Sequence, residues 1–334
     1  MKKLFTILAV AATLVSCAKE DVVREAAREA IGFDNAFVEN STRSVNDPSF
    51  DADNMFSDFA VFGFVEGASL FNGTRVAKED LATDQTKTGW EYKGTVYWIA
   101  GAKYNFNAVA PLTNGDWTKT AADATSTTLS FTNNGTTDLL YAYATADGKA
   151  EGNGAVAFTF RHVLSKVKFT FKNDYNATNA TIRVKDVKIT DAYSTGNVVL
   201  TDATAWSTQS GKLELAFGNA VADDATSTDA PAFAYNTTLE SYKELLLIPG
   251  AGPTEVEGKK TYTVTFTVDL LVGNTVVKSY GHSINAAFTP EAGNSYNLTA
   301  TINAKNIDPE HKQEPIEFTV NTLPGWGTTN NQNI

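Results

Sequence analysis

Val156-Ala157-Phe158-Thr159-Phe160 and Val167-Lys168-Phe169-Thr170-Phe171 each put an apolar side chain at every second position. Successive side chains of a strand point to opposite faces, so this period-two pattern belongs to half-buried β-strands. The pattern continues in both directions. Upstream it runs through Phe59-Ala-Val61-Phe-Gly-Phe64, Val96-Tyr-Trp98-Ile, Tyr104-Asn-Phe106-Asn-Ala-Val109 and Leu139-Leu-Tyr141-Ala-Tyr143. Downstream come Ile182-Arg-Val184-Lys-Asp-Val187-Lys-Ile189, Tyr262-Thr-Val264-Thr-Phe266-Thr-Val268 and Tyr296-Asn-Leu298-Thr-Ala-Thr-Ile302. Leu245-Leu-Leu-Ile248 is a fully apolar run of the buried-strand type. Clusters of Asn, Gly, Asp, Thr and Ser separate these runs, which is turn chemistry. No long segment carries a helical period. The chain is therefore predicted to be all-β, built as antiparallel sandwiches. No fixed-period repeat is present, which argues against a solenoid or propeller.

The 334 residues allow about two domains of roughly 150 residues. The expected boundary lies near Ser165, giving an N-terminal sandwich over 44–165 and a C-terminal one over 166–334. A hydrophobic share of 43% is that of a globular chain. With 27 Lys and Arg against 38 Asp and Glu, the net charge is −11. So acidic a chain lacks the basic face that nucleic acid requires. One cysteine excludes a disulfide framework and a Cys-based zinc site.

The N-terminus reads as an address. Lys2 and Lys3 precede an apolar run from Leu4 to Val15, the length of a signal-peptide core and too short to span a bilayer. The lone Cys17 follows in Leu14-Val15-Ser16-Cys17, which resembles a bacterial lipobox. That resemblance implies a signal peptide over 1–16 and a diacylated Cys17 as the first residue after processing. Ala18-Lys19-Glu20-Asp21 resembles the acidic tag that sends Bacteroidetes lipoproteins to the outer face of the outer membrane. Glu25 to Ala30 is compatible with a short helix, and Ile31-Gly-Phe33-Asp-Asn-Ala-Phe37-Val38 with a strand.

Phe158-Thr-Phe160-Arg-His162-Val-Leu164-Ser165-Lys166-Val167-Lys-Phe169 resembles the F-x-H-x-L-S-K-V-x-F signature of the Bacteroidetes fimbrillins, the type V pilins. The lipobox, Tyr104-Asn-Phe106-Asn-Ala ahead of a proline, Leu246-Leu-Ile248-Pro249 and a terminal strand ending in Pro324-Gly-Trp326 agree in order. The resemblance implies two tandem transthyretin-like, seven-stranded sandwiches. It also implies a lipoprotein precursor exported to the cell surface and cut by an Arg-specific protease. The subunit would then polymerise with other copies of itself and other fimbrial subunits by donating a strand.

The residues offer parts for that mechanism. Arg43 stands in Ser41-Thr42-Arg43-Ser44, a polar stretch between a strand and the body, where an extended peptide is accessible to a protease. Cleavage between Arg43 and Ser44 would free a propeptide over 17–43, with Ile31, Phe33 and Phe37 as the apolar groups of a removable strand. Arg24 and Arg28 precede that strand, and Arg75 falls inside the first domain. Signal peptide and propeptide together, residues 1–43, hold six basic and six acidic residues, so the mature chain keeps its −11. At the other end, Pro315-Ile316-Glu-Phe318-Thr-Val320 puts Ile316, Phe318 and Val320 on one face. It follows a polar stretch from Lys305 with Pro309 in it, which suits a linker. This tail over about 305–334 reads either as a donor strand or as the last strand of the second sandwich.

Chemical motifs are few. His162, between Phe160 and Leu164, reads as a structural histidine at the domain junction. No nucleophile elbow or phosphate loop is present. Asp47-Pro-Ser-Phe-Asp51-Ala-Asp53-Asn54 is acidic but fails the calcium-loop pattern, because Met55 stands where an oxygen ligand belongs. No cofactor, metal or catalytic residue is expected. Two other classes stay open: a monomeric surface lipoprotein that binds glycan through exposed tryptophans, and a hydrolase with an unseen carboxylate pair.

Overall fold

The computed structural model of the chain describes residues 29–38, 56–77, 90–149, 153–201, 204–222, 228–307 and 316–323. It is all-β. The first half contributes β1 (Gly32–Val38), β2 (Asp58–Val65), β3 (Ala68–Ala77), β4 (Glu91–Tyr92), β5 (Lys103–Ala110), β6 (Trp117–Ala122), β7 (Thr127–Thr132), β8 (Leu140–Asp147) and β9 (Ala155–His162). The second half begins with β10 (Ser165–Asn173), β11 (Ala180–Ala192), β12 (Thr195–Leu200), β13 (Ala205–Ser210), β14 (Leu213–Gly218) and β15 (Ala220–Val221). It continues with β16 (Thr238–Ser241), β17 (Leu245–Leu247), β18 (Thr254–Val256), β19 (Lys259–Val272), β20 (Thr275–Ala286), β21 (Ser295–Ile302) and β22 (Phe318–Leu323). A single-turn helix, Ala304–Ile307, lies between the last two.

Four sheets arise. A seven-stranded sheet has the order β1-β9-β8-β5-β2-β3-β4. A four-stranded sheet runs β13-β12-β7-β6. A six-stranded sheet runs β15-β16-β10-β21-β22, with β17 also on β10. A five-stranded sheet runs β14-β11-β19-β18, with β20 also on β19.

Three cores follow from the alternation. In β2, Phe59 and Val61 face one core with Phe106, Phe158 and Phe160. Ala60, Phe62 and Phe64 face a second core with Leu129, Phe131 and Tyr141. The strand is thus buried on both faces, rather than on the one face that strict alternation predicts. Its continuous apolar text, Phe59 to Phe64, is the mark of a doubly covered strand. The third core packs Phe169, Phe171, Val184, Phe217, Phe266 and Leu298 between the six- and five-stranded sheets.

Strand pairing crosses residue 165. The four-stranded sheet takes β6 and β7 from before that point and β12 and β13 from after it, through a six-pair ladder from Thr132↔Thr195 to Thr127↔Leu200. Val198, Leu200, Leu246 and Ile248 of the second half complete the core that covers the seven-stranded sheet. The Val96–Ile99 stretch forms no regular strand; only an isolated bridge, Ala30↔Tyr97, marks it. In β11 the register shifts between Lys185 and Lys188, where Asp186 has φ 55°. The sequence carries this bulge openly: the apolar spacing Ile182, Val184, Val187, Ile189 skips one residue there.

A fragment ending at Leu164 is expected to show no cooperative thermal transition. It lacks the β12 ladder and four apolar groups of its second core, each worth about 1.5–3 kcal/mol when buried. A fragment melting like the full chain would show instead that the first half folds alone.

Candidate functional site

The segment 29–38 fills a slot in the first half. On one side β1 runs parallel to β9, with Phe33 opposite Val156 and Phe37 opposite Thr159. On the other side, the Ile31 N–H donates to the Val96 carbonyl at 2.7 Å, and the Trp98 N–H donates to the Glu29 carbonyl at 3.1 Å. The Tyr92 hydroxyl donates to the Ile31 carbonyl at 2.8 Å. The segment therefore bridges two elements that do not otherwise pair side by side.

Its side chains complete the first core. Ile31 is 1% and Phe33 3% exposed. The Phe33 ring lies 5.5 Å from Phe71, 5.6 Å from Tyr92 and 5.8 Å from Phe158, with Phe106 and Phe59 at 6.2 and 6.5 Å. Most of these pairs are edge-to-face, the favourable arrangement for aromatic quadrupoles. Tyr97 and Ile99 stand exposed beside the slot. Cys17, Arg43 and Ser44, and the Asp47–Asn54 stretch, lie outside the described residues.

The other arginines of the body are fixed in paired strands. Arg75 is in β3, Arg161 in β9 and Arg183 in β11. The Arg75 Nε donates to Asp58 at 2.8 Å. Burial raises the Asp58 carboxyl, but hydrogen bonds from the Thr113 hydroxyl and N–H and from Arg75 outweigh it and hold the group below the usual carboxylate range.

The C-terminal segment is docked in the second half. β22 pairs antiparallel with β21, from Ala300↔Phe318 to Ser295↔Leu323, at the edge of its sheet. Ile316 is 2% exposed, and Phe318 and Val320 pack half-buried against the same core. The Phe318 ring lies 5.5 Å from Phe169 and 6.2 Å from Phe266. The structure thus describes the last-strand arrangement of the two the sequence allows.

The remaining sequence candidates are packing residues. His162 is buried at the end of β9, where its Nδ1 meets Asp138. Trp90 and Trp98 are buried in the first core. Trp117 and Trp206 are half-buried and donate their indole N–H groups to the Pro111 and Val163 carbonyls. Among the described residues, no group of three His, Cys, Asp or Glu side chains is placed to hold a metal, and no helix is long and apolar enough to cross a membrane.

One feature that the sequence reading missed sits beside the tail. His282 of β20 stacks on Phe266 at 5.2 Å, with its Nε2 buried and unpartnered among the described residues. Burial lowers its pKa from the ordinary imidazole value. The neutral form is therefore favoured in the folded chain. Its contribution is complete above about pH 6.5 and is lost as pH falls below that value. Tm measured from pH 7.5 to 5.5 is expected to fall, and His282→Gln is expected to flatten that slope. A second expected outcome concerns the slot: Phe33→Ala costs about 3–5 kcal/mol of stability in the uncleaved chain, read by denaturant titration.

No curated protein matches the chain. Among solved structures it is similar to a Bacteroides uniformis protein assigned to cell adhesion, at 16% identity and a TM-score of 0.46, covering 90% of this chain and 100% of that one. A Bacteroides ovatus protein of the same assignment shares 15% identity at a TM-score of 0.48, covering 90% and 99%. A Bacteroides thetaiotaomicron protein assigned to polysaccharide binding shares 10% identity at a TM-score of 0.39, covering 89% and 98%. The family model described as fimbrillin-like matches residues 42–322. With most of its length so matched, the chain belongs to the fimbrillin-like family.

Proposed function

We propose that the protein is a fimbrial subunit of the stalk, which polymerises when its own slot strand is cut away and replaced by a neighbour's tail. The observation that carries this reading is the position of the arginines. Arg75, Arg161 and Arg183 are held in paired strands, and a protease needs an extended peptide. Of the other three, Arg24 and Arg28 precede the slot strand and Arg43 alone follows it. Only a cut at Arg43 detaches Ile31, Phe33 and Phe37 from the body in one step.

Removal of the strand uncovers the rings around Phe33 and the backbone edges of β9 and the Val96–Trp98 stretch. Such an edge binds whatever strand reaches it. Strand addition supplies affinity through the backbone and specificity through alternate side chains. The tail has a matching text: Ile316-Glu-Phe318 repeats the spacing of Ile31-Gly-Phe33. It is also attached with slack. Fifteen residues separate β21 from β22, whereas an antiparallel neighbour needs about 2–5. The price of leaving is limited, since β22 has one strand neighbour and, among the described side chains of the tail, only Ile316 is fully buried. Seating an Ile and a Phe in the vacated slot returns about 1.5–3 kcal/mol each. Before cleavage, the lipid on Cys17 would hold the precursor at the outer membrane, and an Arg-specific protease would be its processing partner.

Protein sheared from the cell surface is expected to begin at Ser44 and to form SDS-resistant ladders. Arg43→Ala is expected to keep the precursor monomeric. Deleting 315–334 is expected to abolish the ladder while leaving cleavage intact. A chain that starts at acylated Cys17 and forms no ladder would point to an anchor subunit or a glycan-binding lipoprotein.

A further inference from the structure

The outer face of the five-stranded sheet carries a feature unconnected with the slot or the tail. Three rows cross it: Arg183–Asp269–Ser279, Lys185–Thr267–Gly281 and Lys188–Thr265–Ser283. The bulge at Asp186 brings Lys188 onto the face already occupied by Arg183 and Lys185, despite the odd separation. Lys188 is matched by Glu214 at 2.8 Å.

Asp269 is buried and fully used. The Ser279 hydroxyl donates to its Oδ1 at 2.7 Å, and the Lys185 Nζ lies 2.7 Å from its Oδ2. Burial raises this carboxyl, but hydrogen bonds from Lys185 and Ser279, with the charges of Lys185 and Arg183, hold it ionised below the usual range. The guanidinium of Arg183 comes no closer than 3.9 Å to the same oxygen. Two cations thus share one carboxylate, and the nearer one is Lys185. Arg183 keeps a surplus charge, its side chain 31% exposed, and its Nε is shielded from water with no partner among the described residues.

An opening lies alongside. Gly281 has no left-handed backbone to require glycine, and a Cβ there would meet nothing within 4 Å. Its bare backbone forms a floor flanked by the hydroxyls of Thr267, Ser279 and Ser283. A glycine inside a strand often marks a bulge, a bend or a site of close approach, and the register runs unbroken through Gly281.

We propose that this face binds a short oligosaccharide bearing a carboxylate, with Arg183 holding the carboxylate and Thr267 and Ser283 hydrogen-bonding the ring hydroxyls above Gly281. A guanidinium presents a planar fork that matches a carboxylate in two parallel hydrogen bonds. Partial burial strengthens that pairing over one in bulk water. The net charge of −11 opposes long polyanions, so the fit is to a short acidic chain, of which one carboxylate meets Arg183. A free carboxylate ion shares the chemistry of the first contact, and the hydroxyl floor separates the two.

The test is calorimetric titration of the whole protein with trigalacturonate, its methyl ester and acetate. Trigalacturonate is expected to bind at least about tenfold more tightly than either control, the loss expected for one charged hydrogen-bonded contact. Arg183→Gln and Gly281→Leu are each expected to weaken it by about tenfold or more, with Lys188→Gln within about twofold of the parent. Gly281→Leu, whose added Cβ meets nothing within 4 Å, is expected to melt like the parent and keeps the comparison valid if Arg183→Gln loosens the fold. Absence of binding, or binding retained in both variants, overturns the proposal. Acetate binding as tightly as trigalacturonate leaves a free-anion site only and overturns it too.

Discussion

The placement of Phe33 among five aromatic rings is the constraint on which the first half depends. Phe59, Phe71, Tyr92, Phe106 and Phe158 come from strands β2, β3, β4, β5 and β9, and they meet around a side chain supplied by none of them. Close-packed interiors do not tolerate a void of that size. The backbone sets the same demand, because Ile31 and Glu29 hydrogen-bond toward Val96 and Trp98 while Gly32 to Val38 pair with β9. A half so built is complete only with a strand in that place, yet nothing requires the strand to belong to the same molecule. Loss of covalent connection turns a packing requirement into a binding site.

The two halves are joined by more than a linker. Backbone pairing between β7 and β12 and the shared core around Leu129, Leu164, Val198 and Leu246 weld them. His162 and Ser165, at the heart of the signature, stand on either side of this junction: the histidine meets Asp138 of the first half, and the Ser165 hydroxyl donates to the Glu291 carbonyl of the second. The slot lies in the first half and the docked tail in the second. In the proposed polymer, a subunit that gives its tail to one neighbour and its slot to another would carry load between them through this paired backbone.

Much of this was legible in the sequence. Period-two runs such as Tyr262–Val268 and Phe158–Phe160 fall in β19 and β9 because their inward positions are large and apolar and their outward ones polar. The β11 bulge is written in the spacing of its aliphatic residues. The four-stranded sheet was not legible. Trp117–Ala122, Thr127–Thr132 and Ala205–Ser210 are built mainly from Thr, Ser and Ala, whose alternation is too shallow to register, and the ladder that joins the two hairpins, β7 to β12, links segments far apart in the chain. Val96–Ile99 alternates like a strand but holds only an isolated bridge, since Trp98 is inserted into the core beside Tyr104. The slot residues Ile31 and Phe33 were visible, but the five rings that receive them come from strands spread over a hundred residues. His282 and the Arg183 face escaped notice because stacking and a surplus charge are properties of neighbours, not of text.

The central claim is that a neighbour's tail takes the slot that residues 29–38 occupy. Photo-crosslinking from a benzophenone amino acid at position 318 tests it most directly. In the uncleaved monomer, adducts are predicted within the same chain at residues around Phe169 and Phe266. In the assembled polymer they are predicted between chains, at residues around Phe59, Phe71 and Phe158. Adducts that stay within one chain at Phe169 and Phe266 after assembly would contradict the account.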